Sequence, residues 1–490
     1  MAGLLSGRAQ AAVQTGLDVE VLRLDNGMTF LLVDRPAGAS VAAGWVARVG
    51  SADDPAGQTG LAHFLEHVMF KGTRTIGTTD GRREAELERQ EEETAESLRR
   101  LRGEAAGGGA DGARQSQELQ DRLLQIAGQR RLLQVPDEYD RIYSRAGATG
   151  INAFTTADLT AYFLSLPANR LELWFWMESD RLLDPVFRDF ATERQVIAEE
   201  RRQGESTPTG PFADQLEALF WQAHPYRWPR LGWPADVETL TPQDAVRHFR
   251  AWYGPGNLTA VLVGRFDRAR VRELAKRYFG RLPPVAEPRR VSAREPEQRA
   301  ETRLLADCNC APQLEMRYHA VPFLHADAAA LEVLAGLLDG RAGRLYQGLV
   351  LGPRLASAGS AALSPLARAG WFAVRLQAAE AVPLERLEQC WAEVLRPLQQ
   401  EPVADRELAR VKSSLMAEGF RQLEDPFALM VRLLTDAGQG DWHALEEQPQ
   451  RLAAVTAEDV LRVARTYFRP ENRTVALFRR LPPAAGAARP

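Results

Sequence analysis

Apolar and polar positions alternate with more than one period along this chain. From residue 19, VEVLRLDNGMTFLLVD holds two apolar runs joined at Asp25-Asn26-Gly27, which predicts a β-hairpin. LAHFLEHVMFKGT (61–73), after Gln58-Thr59-Gly60, spaces its apolar residues as a helix does. RREAELERQEEETAESLRRLRG, from residue 82, predicts a charged helix with few apolar anchors. GEAAGGGADGA reads as a flexible turn and SQELQDRLLQIAGQRRLLQ as a second helix, making a helical hairpin that protrudes from the body over about 80–140. The hairpin's charges read as a solvated face. Residues 148–165 are rich in Thr and aromatics and predict paired strands. NRLELWFWMESDRLL (169–183) and ATERQVIAEERRQ (191–203) predict helices. The proline- and charge-rich stretch at 282–301 is the best linker in the chain.

The pattern also repeats. LTPQDAVRHFRAWYGPGNLTAVL (240–262) aligns without a gap to VTAEDVLRVARTYFRPENRTVAL (455–477). Thr241 matches Thr456, Asp244 matches Asp459, and Asn257 matches Asn472 at one constant offset. This is the signature of an internal duplication. The counterpart of 61–73 in the second half, HADAAALEVLAGLLDGR (325–341), has no histidine pair. Any chemistry therefore belongs to the first half.

A chain of 490 residues exceeds one core and calls for several domains. A net charge of −4 argues against a nucleic-acid partner. No apolar run is long enough for a membrane span. The first residues lack a convincing apolar signal core, so the compartment stays open: cytoplasm, or a bacterial periplasm or cell envelope if a leader was removed. Cys308, Cys310 and Cys390 form no disulfide framework and read as reduced structural thiols. Gly107-Gly108-Gly109 lacks the strand and Lys-Ser/Thr of a phosphate loop and reads as a linker.

The chain has seven histidines, and two of them, His63 and His67, stand four apart around Glu66. On a helix both imidazoles leave one face and can share one metal. A catalytic zinc needs a third protein ligand and an open position. Glu193 and Glu200 lie seven apart, two helical turns, on one face, whereas Glu199 points about 120° away. Glu200 is thus the expected third ligand, with Glu193 behind the ligands and Glu199 a solvated acid. Zinc would lower its water's pKa, and Glu66 would take the proton as general base.

His63-Phe64-Leu65-Glu66-His67, followed by Phe70-Lys71-Gly72-Thr73, resembles the inverted-motif zinc peptidases of the M16 (insulinase/pitrilysin) family. Residues 193–200, ERQVIAEE, resemble that family's downstream glutamate motif, and 150–156, GINAFTT, its active-site strand. The resemblance spans about 20–480 apart from the helical insertion, and is nearest to mitochondrial processing peptidase subunits and their bacterial relatives. It implies an α+β fold: two homologous α/β domains, each a mixed sheet with helices on one side, forming one half-shell of a clamshell. The N-terminal catalytic domain would be 18–282, the linker 283–301, and the C-terminal domain 302–480 without the zinc motif. It implies one Zn²⁺ per chain and substrate contact through Asn152, Ala153 and Phe154, with an exposed strand edge pairing to extended peptide.

There is one departure. Single-chain family members carry an Arg and a Tyr, seven apart, that contact substrate near the zinc. Here Val350 and Ser357 hold those positions, and Tyr346 and Arg354 are out of order and register. The resemblance therefore implies a second M16-type chain supplying the pair in a heterodimer, or a homodimer. The expected function is a zinc metalloendopeptidase acting on peptides or unfolded segments enclosed in a chamber. The alternatives are a catalytically silent scaffold of the same fold, or another zinc chemistry.

Overall fold

The computed structural model describes residues 16–104 and 110–481. The glycine run at 107–109 and the first 15 residues lie outside the described residues. Eleven strands form two sheets among the described residues. The first sheet comprises β1 (Glu20–Arg23), β2 (Thr29–Asp34), β3 (Ser40–Ala47), β4 (Thr149–Thr155), β5 (Thr160–Pro167) and β6 (Leu258–Gly264), in the order β1-β2-β6-β3-β5-β4. The second comprises β7 (Thr302–Cys308), β8 (Gln313–Ala320), β9 (Ala356–Pro365), β10 (Gly370–Ala378) and β11 (Arg473–Arg480), in the order β7-β11-β8-β10-β9. β2 pairs parallel to β6 and β7 parallel to β11, and the remaining pairs are antiparallel. The two sheets thus share one topology, with β1 added to the first.

The aligned segments make the same bonds. Thr241 and Thr456 each cap a helix, with Asp244 and Asp459 completing reciprocal capping boxes. The Asn257 amide donates to Trp252 O at 2.7 Å and the Asn472 amide to Tyr467 O at 2.7 Å. Identical residues satisfying identical backbone groups are the physical content of the repeat.

Each sheet buries one face under helices of its own half. For the first these include α1 (Leu61–Val68), α4 (Glu138–Arg145) and α5 (Leu171–Leu183). The opposite faces are covered by exchange. The helix Pro426–Gln439 lays Leu429, Met430, Leu433 and Leu434 on Leu31, Val33, Val46 and Val261 of the first sheet. α7 (Ala213–Phe220) sets Leu216 against Ala306, Cys308 and Phe478 of the second. The connecting residues 283–299 run without helix or strand. They are strapped down, since Glu295 accepts from the backbone N–H groups of Gln222, Ala223 and His224 at 2.6–3.0 Å.

α2 (Gly81–Glu104) and α3 (Ala110–Leu133) form the inserted helical pair. Not all its charges are solvated. Glu84 is fully buried and bonded to the equally buried Arg188, whose guanidinium also donates to Lys71 O, Thr73 O and Ile76 O. This pair anchors the insertion beside the end of α1. The expectation of reduced thiols needs correction: Cys308 and Cys310 are joined in a disulfide, with Cα atoms 5.3 Å apart, within bridging range. The chain bends at the end of β7 and brings the two side chains together, which the spacing alone did not reveal. Cys390 is free and buried. No helix among the described residues is long and apolar enough to cross a membrane.

Candidate metal centre

α1 is short, and both of its ends are fixed. At its start Gly60 takes φ +86°, and a Cβ there would lie 2.7 Å from Leu231 O, so only glycine fits. The buried Asp54 accepts from the N–H groups of Gly60 and Ala62, both at 2.8 Å, satisfying donors that the helix leaves open. Leu61, Phe64, Leu65 and Val68 sink into the core. The other face carries His63, Glu66 and His67.

α6 (Phe190–Glu205) runs beside α1, with the Phe190 ring packed at a tilt against Phe64, centroids 4.2 Å apart, and Ile197 buried. This packing aims Glu200 at the histidines. His63 Nε2 lies 3.4 Å and His67 Nε2 3.5 Å from Glu200 Oε2. One ligand atom from each of the three residues falls within 4.8 Å of the others. A tetrahedral zinc with ligands about 2.0–2.1 Å away spaces them about 3.4 Å apart. The donor set and its two His–Glu edges therefore fit zinc.

Electrostatics prepares the donors differently. Burial, aided by the charge of His67, lowers His63 to about 3, so it is neutral as a ligand must be. Its Nδ1 finds no partner among the described residues. Burial also acts to lower His67, but bonds to Glu193 and Glu200 outweigh it and raise the group to about 9. The Glu193 carboxylate can only accept, so His67 Nδ1 donates to it over 3.3 Å, and a metal would take Nε2 in place of the proton shared with Glu200. Lys71 Nζ, 2.6 Å from Glu193 Oε1, holds that acid in place. The bond from His67 outweighs burial and draws Glu200 down to about 2. Arg230 Nη2 meets its other oxygen at 3.3 Å.

Burial raises Glu66 above the usual carboxylate range, while a bond from Thr155 and the charge of His67 oppose the rise. Thr155 Oγ1 donates to Glu66 Oε2 at 2.5 Å. Glu199 points to solvent and pairs with Arg202 at 2.6 Å. Asn152, Ala153 and Phe154 lie on β4, an edge strand of the first sheet. Asn152 is exposed, its Oδ1 accepting from Ala153 N–H at 2.9 Å. No hydrogen bond among the described residues links these three to the cluster; the next residue, Thr155, makes that link. Val350 packs against the second core, and Ser357 donates to Ala378 O at 3.2 Å.

Three residues of this site receive no role from the sequence motifs, although Lys71 and Thr155 stand inside them. Lys71 stands four residues after His67, a helical spacing that could have found it. Thr155 follows the Asn152–Phe154 stretch directly. Arg230, on a turn after α7, carries no local signal.

The model for the insulinase family (peptidase family M16) matches residues 29–90, and that for the peptidase M16 inactive domain matches 239–415. The chain is 25% identical over 440 residues to a zinc protease PqqE of Helicobacter pylori, covering 88% of this chain and 86% of that protein. It is 24% identical over 270 residues to a probable mitochondrial-processing peptidase subunit beta of Schizosaccharomyces pombe, covering 55% and 46% of the two chains. Its fold is similar to the crystal structure of a protease from Helicobacter pylori, with a TM-score of 0.77 and 23% identity over 94% of this chain and 100% of that one.

Proposed function

Since the chain belongs to the insulinase family, peptidase family M16, we propose that it is a zinc metalloendopeptidase hydrolysing peptides or unfolded polypeptide segments. The observation that carries this reading is the meeting of His63 and His67 with Glu200, each His–Glu edge near tetrahedral spacing, beside Glu66 on the histidines' own helix. His63, His67 and Glu200 would hold one zinc. When bound, zinc would supply Lewis acidity and a water of lowered pKa. Glu66 takes a proton from the attacking water and passes it to the leaving amine. Its burial suits this role, because a carboxyl raised above its usual range takes up a proton more readily. Glu193 and Lys71 keep the His67 ring in one orientation. β4 offers its open edge to an extended peptide, with the backbone of Asn152, Ala153 and Phe154 along that edge. Residues 18–282 form the catalytic unit in this reading, and 302–480 a copy without the metal site.

The same reading includes a partner. Val350 and Ser357 supply no Arg and Tyr, so a second chain of this family, or a second copy, would complete the chamber. A silent scaffold would not need His63 and Glu66 buried, since burying such groups without a metal is costly.

Cleavage of an unfolded polypeptide should stop after dialysis against a chelator and return with added zinc. Cleavage that survives metal removal would refute the metallopeptidase. Turnover should rise when a partner chain is added, and full turnover by an isolated monomer would refute the partner.

A further inference from the structure

The geometry points to Thr155 as the residue that positions the general base, an inference resting on the role proposed for Glu66. Thr155 is buried at the end of β4, and its hydroxyl is 2.5 Å from Glu66 Oε2. An ionised carboxylate can only accept, so the hydroxyl is the donor. Thr160 Oγ1, 3.3 Å from Thr155 Oγ1, gives its single proton to Val49 O at 2.9 Å. Thr160 therefore offers Thr155 only an acceptor 3.3 Å away, and the Thr155 proton goes to the nearer carboxylate oxygen at 2.5 Å. One Glu66 oxygen is thus tied to the sheet while the other remains for water.

A comparison inside the chain supports this. Thr155 faces Thr160 across the β4–β5 hairpin, and the equivalent pair across β9–β10 is Pro365 and Gly370. The two turns are closed alike, Thr156 N–H to Leu159 O and Leu366 N–H to Ala369 O, both at 2.8 Å. The copy without the histidine motif thus also lacks both hydroxyls. Thr155 directly follows Asn152–Phe154, so the strand offered to the substrate is also the strand that orients the base. A peptide pairing with β4 would steady that orientation.

The test uses the full chain loaded with zinc, in the Thr155→Val and Thr155→Ser variants. Valine matches threonine in shape and suits a strand. Thr155→Val should lower kcat about 10- to 100-fold, with KM within about twofold and zinc content unchanged, while Thr155→Ser stays within about threefold of the parent in kcat. A Thr155→Val enzyme with parental kcat, a serine variant as impaired as the valine one, or a loss that follows zinc content would overturn the assignment. Crystal structures give a second readout. Glu66 should keep one rotamer in the parent and in Thr155→Ser, and turn away in Thr155→Val; an unmoved Glu66 in Thr155→Val overturns the positioning role. A parent chain that cleaves nothing would defeat the peptidase reading, and the rotamer comparison would still decide Thr155.

Discussion

β2, β6, β3, β5 and β4 of the first sheet follow one another in the same order and directions as β7, β11, β8, β10 and β9 of the second. In each half a helix follows the equivalent strand. In the first half that helix is α1, with His63, Glu66 and His67 on one face. In the second it is Ala328–Leu338, with Leu331, Leu334, Leu337 and Leu338 buried and Glu332 as its one acid. The fold does not need the metal motif, because the copy without it keeps its sheet, caps and core. The motif costs the first half something. It places ionisable groups where the second half packs leucine, and burial there must be offset by bonding or by a metal.

The widest predicted contrast lies between those two helices. His67→Ala should reduce zinc from about one per chain to near none and abolish cleavage, whereas Glu332→Ala should change neither. Metal analysis and a peptide assay check both, and loss of zinc from the Glu332 variant would break the comparison. Within the first half, Glu200→Ala should weaken zinc binding far more than Glu199→Ala, and Glu193→Ala should weaken it about 10- to 100-fold. Competition with a chelator ranks the three, and the reverse order for Glu199 and Glu200 would undo the face assignment. The smallest effect sharpens the likeness of the halves. Thr241→Ala and Thr456→Ala remove the same cap and should each cost about 0.5–2 kcal/mol of stability. Chemical denaturation measures this, and a cost confined to one half would show that the repeat has diverged in its energetics.

Much of the fold and the site is legible in residue spacing. His63 and His67 at four residues, and Glu193 and Glu200 at seven, declare a helix face by their intervals alone. The Asp25-Asn26-Gly27 hairpin and the Thr-rich β4–β5 pair follow from turn and strand chemistry. What stays hidden depends on closure between distant segments. Thr155 reaches Glu66 across 89 residues, and Arg230 reaches Glu200 from a turn with no period. Glu84 resembles one more solvated charge because its partner, Arg188, lies 104 residues away. The exchange of covering helices is hidden for another reason. A pattern shows which face of Pro426–Gln439 is apolar, not which sheet receives it. The Cys308–Cys310 bridge depends on a bend that spacing rules do not describe.

The central claim is that Glu66, held beside a His63–His67–Glu200 zinc site, is the base for peptide hydrolysis. Peptide cleavage by Glu66→Gln, compared with the parent at equal zinc content, tests it most directly. A kcat lowered about 10²- to 10⁴-fold, with one zinc still bound, is the predicted result. Cleavage at the parental rate by a zinc-loaded Glu66→Gln enzyme would contradict it.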